Sequence, residues 1–335
     1  MCPGNRAHLI QITMKWLITM ELNLLKEIIQ CLPKERTLFH YCKDRYAPML
    51  LNHFIGDEMD IKEIKGSQMA GLLQKPVMRE FLSSIGNGKL RKQDLNDFWI
   101  DDTHSFVLTL GSWGGKKPDW HQTCRKGYNL VLQLNFTSLH DGDYAKLMKP
   151  STRQALNYHG HPVFFKEKVS YERETLAWSR IDLDFKSGEA LIEEIQSDWI
   201  RRAAYTAWVA KSYHKNGYRI LKRYRVNGEF GDVISYYDKT LKPYLAIWSE
   251  AMLSATIEFI RTEIGINKIY YHSYETGSVL KKIQDNKPPR SLYDKLPRQF
   301  CFKKSYYPPE FLEQDKYFSR NYRRIYCPEW FYMEL

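Results

Sequence analysis

Cysteine is scarce in this 335-residue chain: six residues (Cys2, Cys31, Cys42, Cys124, Cys301 and Cys327) lie scattered, with no Cys-x-x-Cys pair. A disulfide scaffold needs a denser framework, so these read as reduced thiols of a cytoplasmic protein. Glycine (18) and proline (14) are too few for a collagen-like or linker-rich chain. No run reaches the roughly 20 largely uncharged residues that a bilayer crossing needs. The best, Met14 to Leu32, carries Lys15, Glu21, Asn23, Lys26 and Glu27. Its apolar positions Leu22, Leu25, Ile28, Ile29 and Leu32 follow helical spacing instead, so an amphipathic helix and no membrane partner are expected. A small-residue cleavage site is missing as well, which argues against a secretory signal. The first 13 to 19 residues look unlike the remainder, and Met14 or Met20 is a candidate start. No repeat or low-complexity tract is present.

Acid is also in deficit. Lys and Arg number 50 against 39 Asp and Glu, a formal charge of +11. Aromatic residues make up 14% of the chain, with 23 Tyr, 16 Phe and 9 Trp. That pairing fits either a large core under a basic surface or a nucleic-acid binder. The charge is uneven. From Arg201 to Arg225 stand eight cations and no acid: Arg201, Arg202, Lys211, Lys215, Arg219, Lys222, Arg223 and Arg225. Tyr205, Trp208, Tyr213, Tyr218 and Tyr224 are interleaved with them. Such a block suits an anionic partner: a polyphosphate, the phosphodiester backbone of a nucleic acid, or an acidic partner. A solvated helix face with inward aromatics is the plainer alternative.

Hydrophobic periodicity divides the chain. Phe39–Phe54 and Met69–Leu82 repeat at three and four, which predicts a helical N-terminal region over 1–100. From 101 the period shortens, with strands at Ser105–Leu110 and Tyr128–Phe136. Glu174–Phe185 and Ala190–Asp198 read as a hairpin turning at Gly188. A basic insertion, 200–243, begins as a helix. A long apolar helix then spans Tyr244–Ile264, and a strand follows at Ile266–His272. Ser273–Gly277 reads as a loop, Val279–Gln284 and Ser291–Pro297 as helical turns, and Phe300–Lys303 as a closing strand. This is an α+β or α/β domain over 101–305, followed by an aromatic tail, 306–335, packed on the body.

Strict alternation along the second hairpin strand places Ile192, Glu194, Gln196 and Asp198 on one face and Leu191, Glu193, Ile195 and Ser197 on the other. The plainest reading of the polar residues is a capped strand end, with Ser197 or Asp198 capping the next helix. A metal reading converges Asp182, Asp184 and Glu194 on Mg²⁺ for phosphodiester hydrolysis. It resembles a D…E-x-K nuclease with Gln196 in the lysine position, beside a basic helix that tracks nucleic acid. His121-x-x-Cys124 with His159-x-His161 is the nearest approach to a zinc pattern, though ordinary surface and turn histidines suffice. His104 reads as structural, and His272 and Glu275 are left unplaced.

The run Glu194-Ile-Gln-Ser-Asp-Trp199, preceded by Leu176-Ala-Trp-Ser-Arg180, resembles an E-I-Q-S-D-W domain of the large polyvalent proteins of phages and conjugative elements. Trp248, Ile269–Gly277 and Leu292–Pro297 fall where further family elements stand, so the likeness covers about 125–305. Ile200-Arg-Arg-Ala-Ala204 departs from the His-Gln and glycine-rich basic stretch of that family. The likeness implies a phage, prophage or other mobile-element setting and host–virus conflict, without an activity.

The order of elements also resembles a GNAT-type N-acetyltransferase. That likeness implies acetyl-CoA as cofactor, Glu194 or Glu193 as the base for an amine, and Tyr293 as the acid for the departing thiolate. The family's glycine-rich pyrophosphate loop is absent here, so Arg and Lys would hold the phosphates. Acyl transfer, Mg²⁺-dependent cleavage and non-enzymatic nucleic-acid binding are thus the three expectations.

Overall fold

The computed structural model describes residues 20–31, 38–97, 103–117, 121–164, 173–214, 224–284 and 288–335. The amphipathic pattern near the start forms helix α1, Leu22–Cys31, with Leu25 and Ile28 buried. Strand β1, Leu38–Tyr41, leads into α2, Tyr46–Phe54, which buries Tyr46, Leu50 and Leu51. Two short strands, β2 (Glu58–Asp60) and β3 (Lys89–Arg91), pair with each other among short helices. The N-terminal region is therefore mainly helical, as its period predicts. It is not a separate body. β1 joins the main sheet beside β4, Tyr46 stacks on Phe300 at 4.3 Å, and Lys43 pairs with Glu250.

Period-two segments then build the sheet: β4 (His104–Gly115), β5 (Gly127–Phe136), β6 (Thr175–Asp184), β7 (Glu189–Gln196), β8 (Lys268–His272), β9 (Lys303–Ser305) and β10 (Trp330–Glu334). Helix α3, Ser138–Met148, follows β5, and α4, Asp198–His214, follows β7. Helix α5, Lys242–Glu258, continues as a π-helical turn to Ile264. It stops at Gly265 with φ 80°, the left-handed conformation that ends helices and that glycine adopts without strain. Helix α6 spans Tyr274–Leu280.

The eight strands lie in the order β1-β4-β5-β6-β7-β8-β10-β9. All neighbours are antiparallel except β7 and β8. A parallel pair needs a crossover, and the segment from α4 through α5 supplies it. Every residue of β6 is buried, since helices cover both faces of the sheet. The larger apolar cluster, on one face, joins Leu50 and Leu73 to Phe106, Leu132, Ile192, Ala251 and Ile260. A smaller one, on the other face, gathers Leu191, Leu280, Phe311, Phe318 and Trp330. The architecture is α+β, as expected.

Three expectations change. The tail does more than pack on the body: β10 inserts between β8 and β9, so the last residues complete the sheet. Ser273–Gly277 opens a helix, because Ser273 Oγ accepts from the Thr276 N–H as its cap. The closing strand begins only at Lys303, after a helical turn over Leu296–Gln299.

His140 on α3 is stacked between Phe136 (3.7 Å) and Tyr144 (5.5 Å), with Nε2 2.9 Å from the Tyr236 hydroxyl. Burial pushes this imidazole down to about 3, so it folds neutral. A depressed histidine leaves stability intact above its ordinary range and removes it as pH falls toward the folded value. Between pH 6.5 and 5 this side chain alone is expected to cost about 2 kcal/mol, at about 1.4 kcal/mol per unit. His53 and His272 act with the same sign, so His140→Phe should shrink the acid loss rather than abolish it. Urea unfolding at pH 7 and pH 5 measures this; an unchanged difference between the two pH values would rule it out.

Candidate functional site

The register between β6 and β7 slips by one residue. Arg180 pairs with Glu194, yet Ile181 pairs with Ile192, which leaves Glu193 as an extra residue. This β-bulge overturns strict alternation. Glu193 and Glu194 both reach the charges of Lys281 and Arg180, whereas Ile192 and Ile195 face the large core. Two adjacent carboxylates thus come to one face of the sheet.

Each polar member of the 194–199 run has a partner. Glu194 pairs with Arg180, and both are buried. Gln196 Nε2 donates to Asp198 Oδ1 at 2.6 Å. Ser197 Oγ donates to the Leu176 carbonyl and accepts the Ile200 N–H, so Ser197 is the helix cap. The Asp198 carboxylate, fully buried, receives His161 Nδ1 at 2.6 Å, Arg201 Nη2 at 2.8 Å and the Tyr158 N–H at 3.3 Å. Burial works to raise Asp198, but these hydrogen bonds and charges outweigh it and hold the carboxyl below its usual range. Trp199 Nε1 donates to the Tyr236 hydroxyl at 2.8 Å.

Behind this run lies a buried polar cluster. Glu193 accepts the Cys124 N–H at 2.8 Å and lies 3.2 Å from Cys124 Sγ. Burial pushes the Glu193 carboxyl up, and Lys281 offsets only part of that. Burial and then Glu193 raise the Cys124 thiol, which stays protonated. The Glu193 carbonyl, past the last β7–β8 pair, accepts His272 Nε2 at 2.7 Å and Lys281 Nζ at 2.8 Å. Gly277 admits this packing, because a Cβ there would lie 2.1 Å from His272 Nδ1.

The metal expectation is not met by this geometry. Arg125 takes Asp182 through two bonds of 2.8 and 2.9 Å and lies 3.6 Å from Asp184, while Arg180 takes Glu194. Among the described residues no three His, Cys, Asp or Glu side chains are grouped to hold a metal ion. The zinc spacing fares no better: His161 goes to Asp198 and Cys124 to Glu193.

Acetyl-CoA fits poorly too. Tyr293 is buried, stacked on His272 at 5.2 Å, and raised by burial and by the Glu194 charge. It keeps its proton, as a general acid must. Burial works against the Glu194 carboxylate, but Arg180 holds it below the usual range, which makes it a weak base. Where β7 and β8 part, His272 and Lys281 already occupy the free strand edge. At the start of α4, where a pyrophosphate would sit, stands the Asp198 carboxylate. The residues present do not suit this cofactor.

The basic block divides along α4. Its outward stripe carries Arg201, Tyr205, Trp208 and Ser212, at helical spacing. Trp208 is 62% exposed and Tyr205 39%, and their rings stack at 5.6 Å. Arg202 lies over Tyr158 at 3.7 Å and Tyr224 at 4.8 Å, and Arg201 over Tyr158 at 5.1 Å. Lys211 pairs with Asp238. Arg225 is exposed. Lys215, Arg219, Lys222 and Arg223 lie outside the described residues.

Sequence reasoning missed Arg180, Arg125 and Lys281, the cations that neutralise the acids. Arg180 had a usable signal, an arginine on the hairpin strand facing an acidic pair. The partners of Arg125 and Lys281 lie 57 and 88 residues away, so no local pattern marks them. The pairing of His161 with Asp198 was equally hidden. Comparison of the chain with models of known families, with curated proteins and with solved structures finds no match.

Proposed function

We propose that this chain is a nucleic-acid-binding module, with α4 as its contact helix, built on an acetyltransferase-like order of elements. The observation that carries this reading is the exposed Tyr205–Trp208 stack beside two arginines that lie on tyrosine rings. Single-stranded nucleic acid binds to such surfaces because every base has a face to stack, while cations follow the phosphates. The chain's +11 charge favours the encounter. The order hairpin, helix, parallel strand after Gly265, Tyr293-x-Lys295 turn and closing strand supports the acetyltransferase likeness as ancestry of form. The occupied strand edge and the Asp198 carboxylate oppose acyl-CoA chemistry. A mobile-element setting, with its exposed nucleic acid, suits such a module.

The test is fluorescence anisotropy with labelled single-stranded DNA and RNA at several salt concentrations. Binding is expected to weaken steeply with salt. Trp208→Ala should lower affinity about tenfold, the loss of one stacked base. Arg201→Glu should weaken binding of every sequence alike. Absence of binding at low salt, or affinity indifferent to both substitutions, would defeat this reading. A thermal shift with acetyl-CoA would return the chain to acyl transfer.

A further inference from the structure

At the N-terminal end of the same helix stands a group the binding reading does not use. His161 is 31% exposed, and its Nδ1 lies 2.6 Å from the buried Asp198 carboxylate. A carboxylate only accepts, so Nδ1 carries the hydrogen and, in the neutral ring, Nε2 bears the lone pair. Among the described residues Nε2 has no hydrogen-bond partner. The ring meets Trp178 and Trp113 edge-on at 5.7 and 6.3 Å and lies 5.4 Å from Tyr158. The Gln196 amide lies 3.3 Å from Nδ1; the further charges nearby are Glu194, paired with Arg180, and Arg201, which shares the Asp198 carboxylate. An accessible imidazole whose tautomer and orientation are set by a buried carboxylate is the arrangement of a general base.

No serine, cysteine or lysine is hydrogen-bonded to His161 among the described residues, so the group it deprotonates comes with the ligand. Tyr158 bridges from His161 to Arg201 and Arg202, and the exposed stripe runs on to Tyr205 and Trp208. A strand stacked on that stripe and continued onto Tyr158 would bring its sugar and phosphate to His161. We propose that His161 is the catalytic base of a metal-independent RNA-cleaving site at this end of α4, with Asp198 as its positioning residue. This rests on the nucleic-acid reading and narrows it to RNA.

The step balances without a cofactor. Nε2 removes the proton of a ribose 2′-hydroxyl, and that oxygen forms a bond to the adjacent phosphorus. The bond from phosphorus to the 5′ oxygen breaks. The leaving oxygen takes a proton from water, and the resulting hydroxide takes the proton held by His161. The products are a 2′,3′-cyclic phosphate and a 5′-hydroxyl. Arg201, hydrogen-bonded to Asp198 through Nη2, retains donors for the phosphate charge that grows in the transition state.

The experiment incubates the full chain with an end-labelled 20-nucleotide RNA in EDTA and follows cleavage on a gel, with binding measured in parallel. Cleavage is expected to leave cyclic phosphate ends and to spare DNA of the same sequence. His161→Ala should lower the rate by about 10²-fold or more, while RNA affinity changes little, and added imidazole should restore part of the rate. Asp198→Asn should slow cleavage strongly in a chain that keeps His161, and should slow the imidazole-rescued rate of a His161→Ala background much less, because there only its hold on Arg201 is lost. RNA bound but uncut, cleavage that survives His161→Ala, or cleavage lost to EDTA overturns the proposal alone. Absence of RNA binding overturns it together with the reading on which it rests.

Discussion

Arg180→Met is expected to be among the most damaging single changes in the protein, lowering stability by about 3–5 kcal/mol. The guanidinium is buried between the Trp113 and Trp178 rings, at 5.3 and 5.9 Å. It pairs with Glu194 and donates to the carbonyls of His121 and Gln122. Removing it leaves a buried carboxylate only partly compensated, by Lys281 and His161, and that charge, rather than the lost attraction, dominates the cost.

The pH dependence tests this account. In the native chain Arg180 depresses Glu194, so the pair adds stability above the ordinary carboxylate range and loses it as pH falls. In Arg180→Met burial, the largest influence on Glu194, is opposed only by the charges of Lys281 and His161, and it raises Glu194 above its unfolded value. Stability is then retained at acid pH and lost as pH rises through the raised value. The deficit against the native chain should therefore be smallest near pH 4 and grow toward pH 7. Adding Glu194→Met should recover most of it, apart from the Gln122 carbonyl, which loses the Arg180 donor, while the His121 carbonyl keeps the Trp113 Nε1 donor. Urea midpoints of the three proteins decide the matter: a deficit independent of pH, or a double variant no better than the single, would contradict this account.

Trp199→Ala should cost a similar about 3–5 kcal/mol, by another mechanism. Trp199 has no exposed surface and is enclosed by Tyr144 at 4.8 Å, Phe136 at 5.3 Å and His140 at 5.8 Å. Truncation opens a cavity that these rings, fixed on β5 and α3, cannot close, and it removes a donor from Tyr236. The melting temperature should fall by on the order of 10 °C, with Trp199→Phe in between. Nucleic-acid affinity below the new melting temperature should persist, because Trp199 faces the core and Trp208 the solvent. A loss under about 1 kcal/mol would mean that the aromatic cluster repacks, contrary to the rigidity of such interiors.

Much of this fold is legible in order along the chain. Period-two runs mark β4, β5, β6 and β7, and the three-and-four pattern marks α1, α4 and α5, because side chains must alternate or wind to reach one core. The candidate site is only half legible. Glu193, Glu194, Gln196 and Asp198 are visible as an acidic strand end, but their roles are not. Alternation separates Glu193 from Glu194, and a single bulged residue opposite Arg180 reunites them. Local pattern cannot announce a bulge whose cause is pairing with a neighbouring strand.

Composition posed basic charge and aromatic wealth as one question, and the chain answers it in two places. The sequence by itself determined that the acids of 193–198 stand next to a 25-residue block of cations and aromatic rings. It also determined that no long apolar segment and no cysteine framework organise the fold. Only the tertiary structure decided which charges face one another. Arg125 and Lys281 arrive from distant segments, and Arg180 from the facing hairpin strand, to offset buried carboxylates, and His161 arrives to meet Asp198. Burial is the reason: a carboxylate taken out of water needs a cation or donors beside it, and only chain topology sets which ones come within reach.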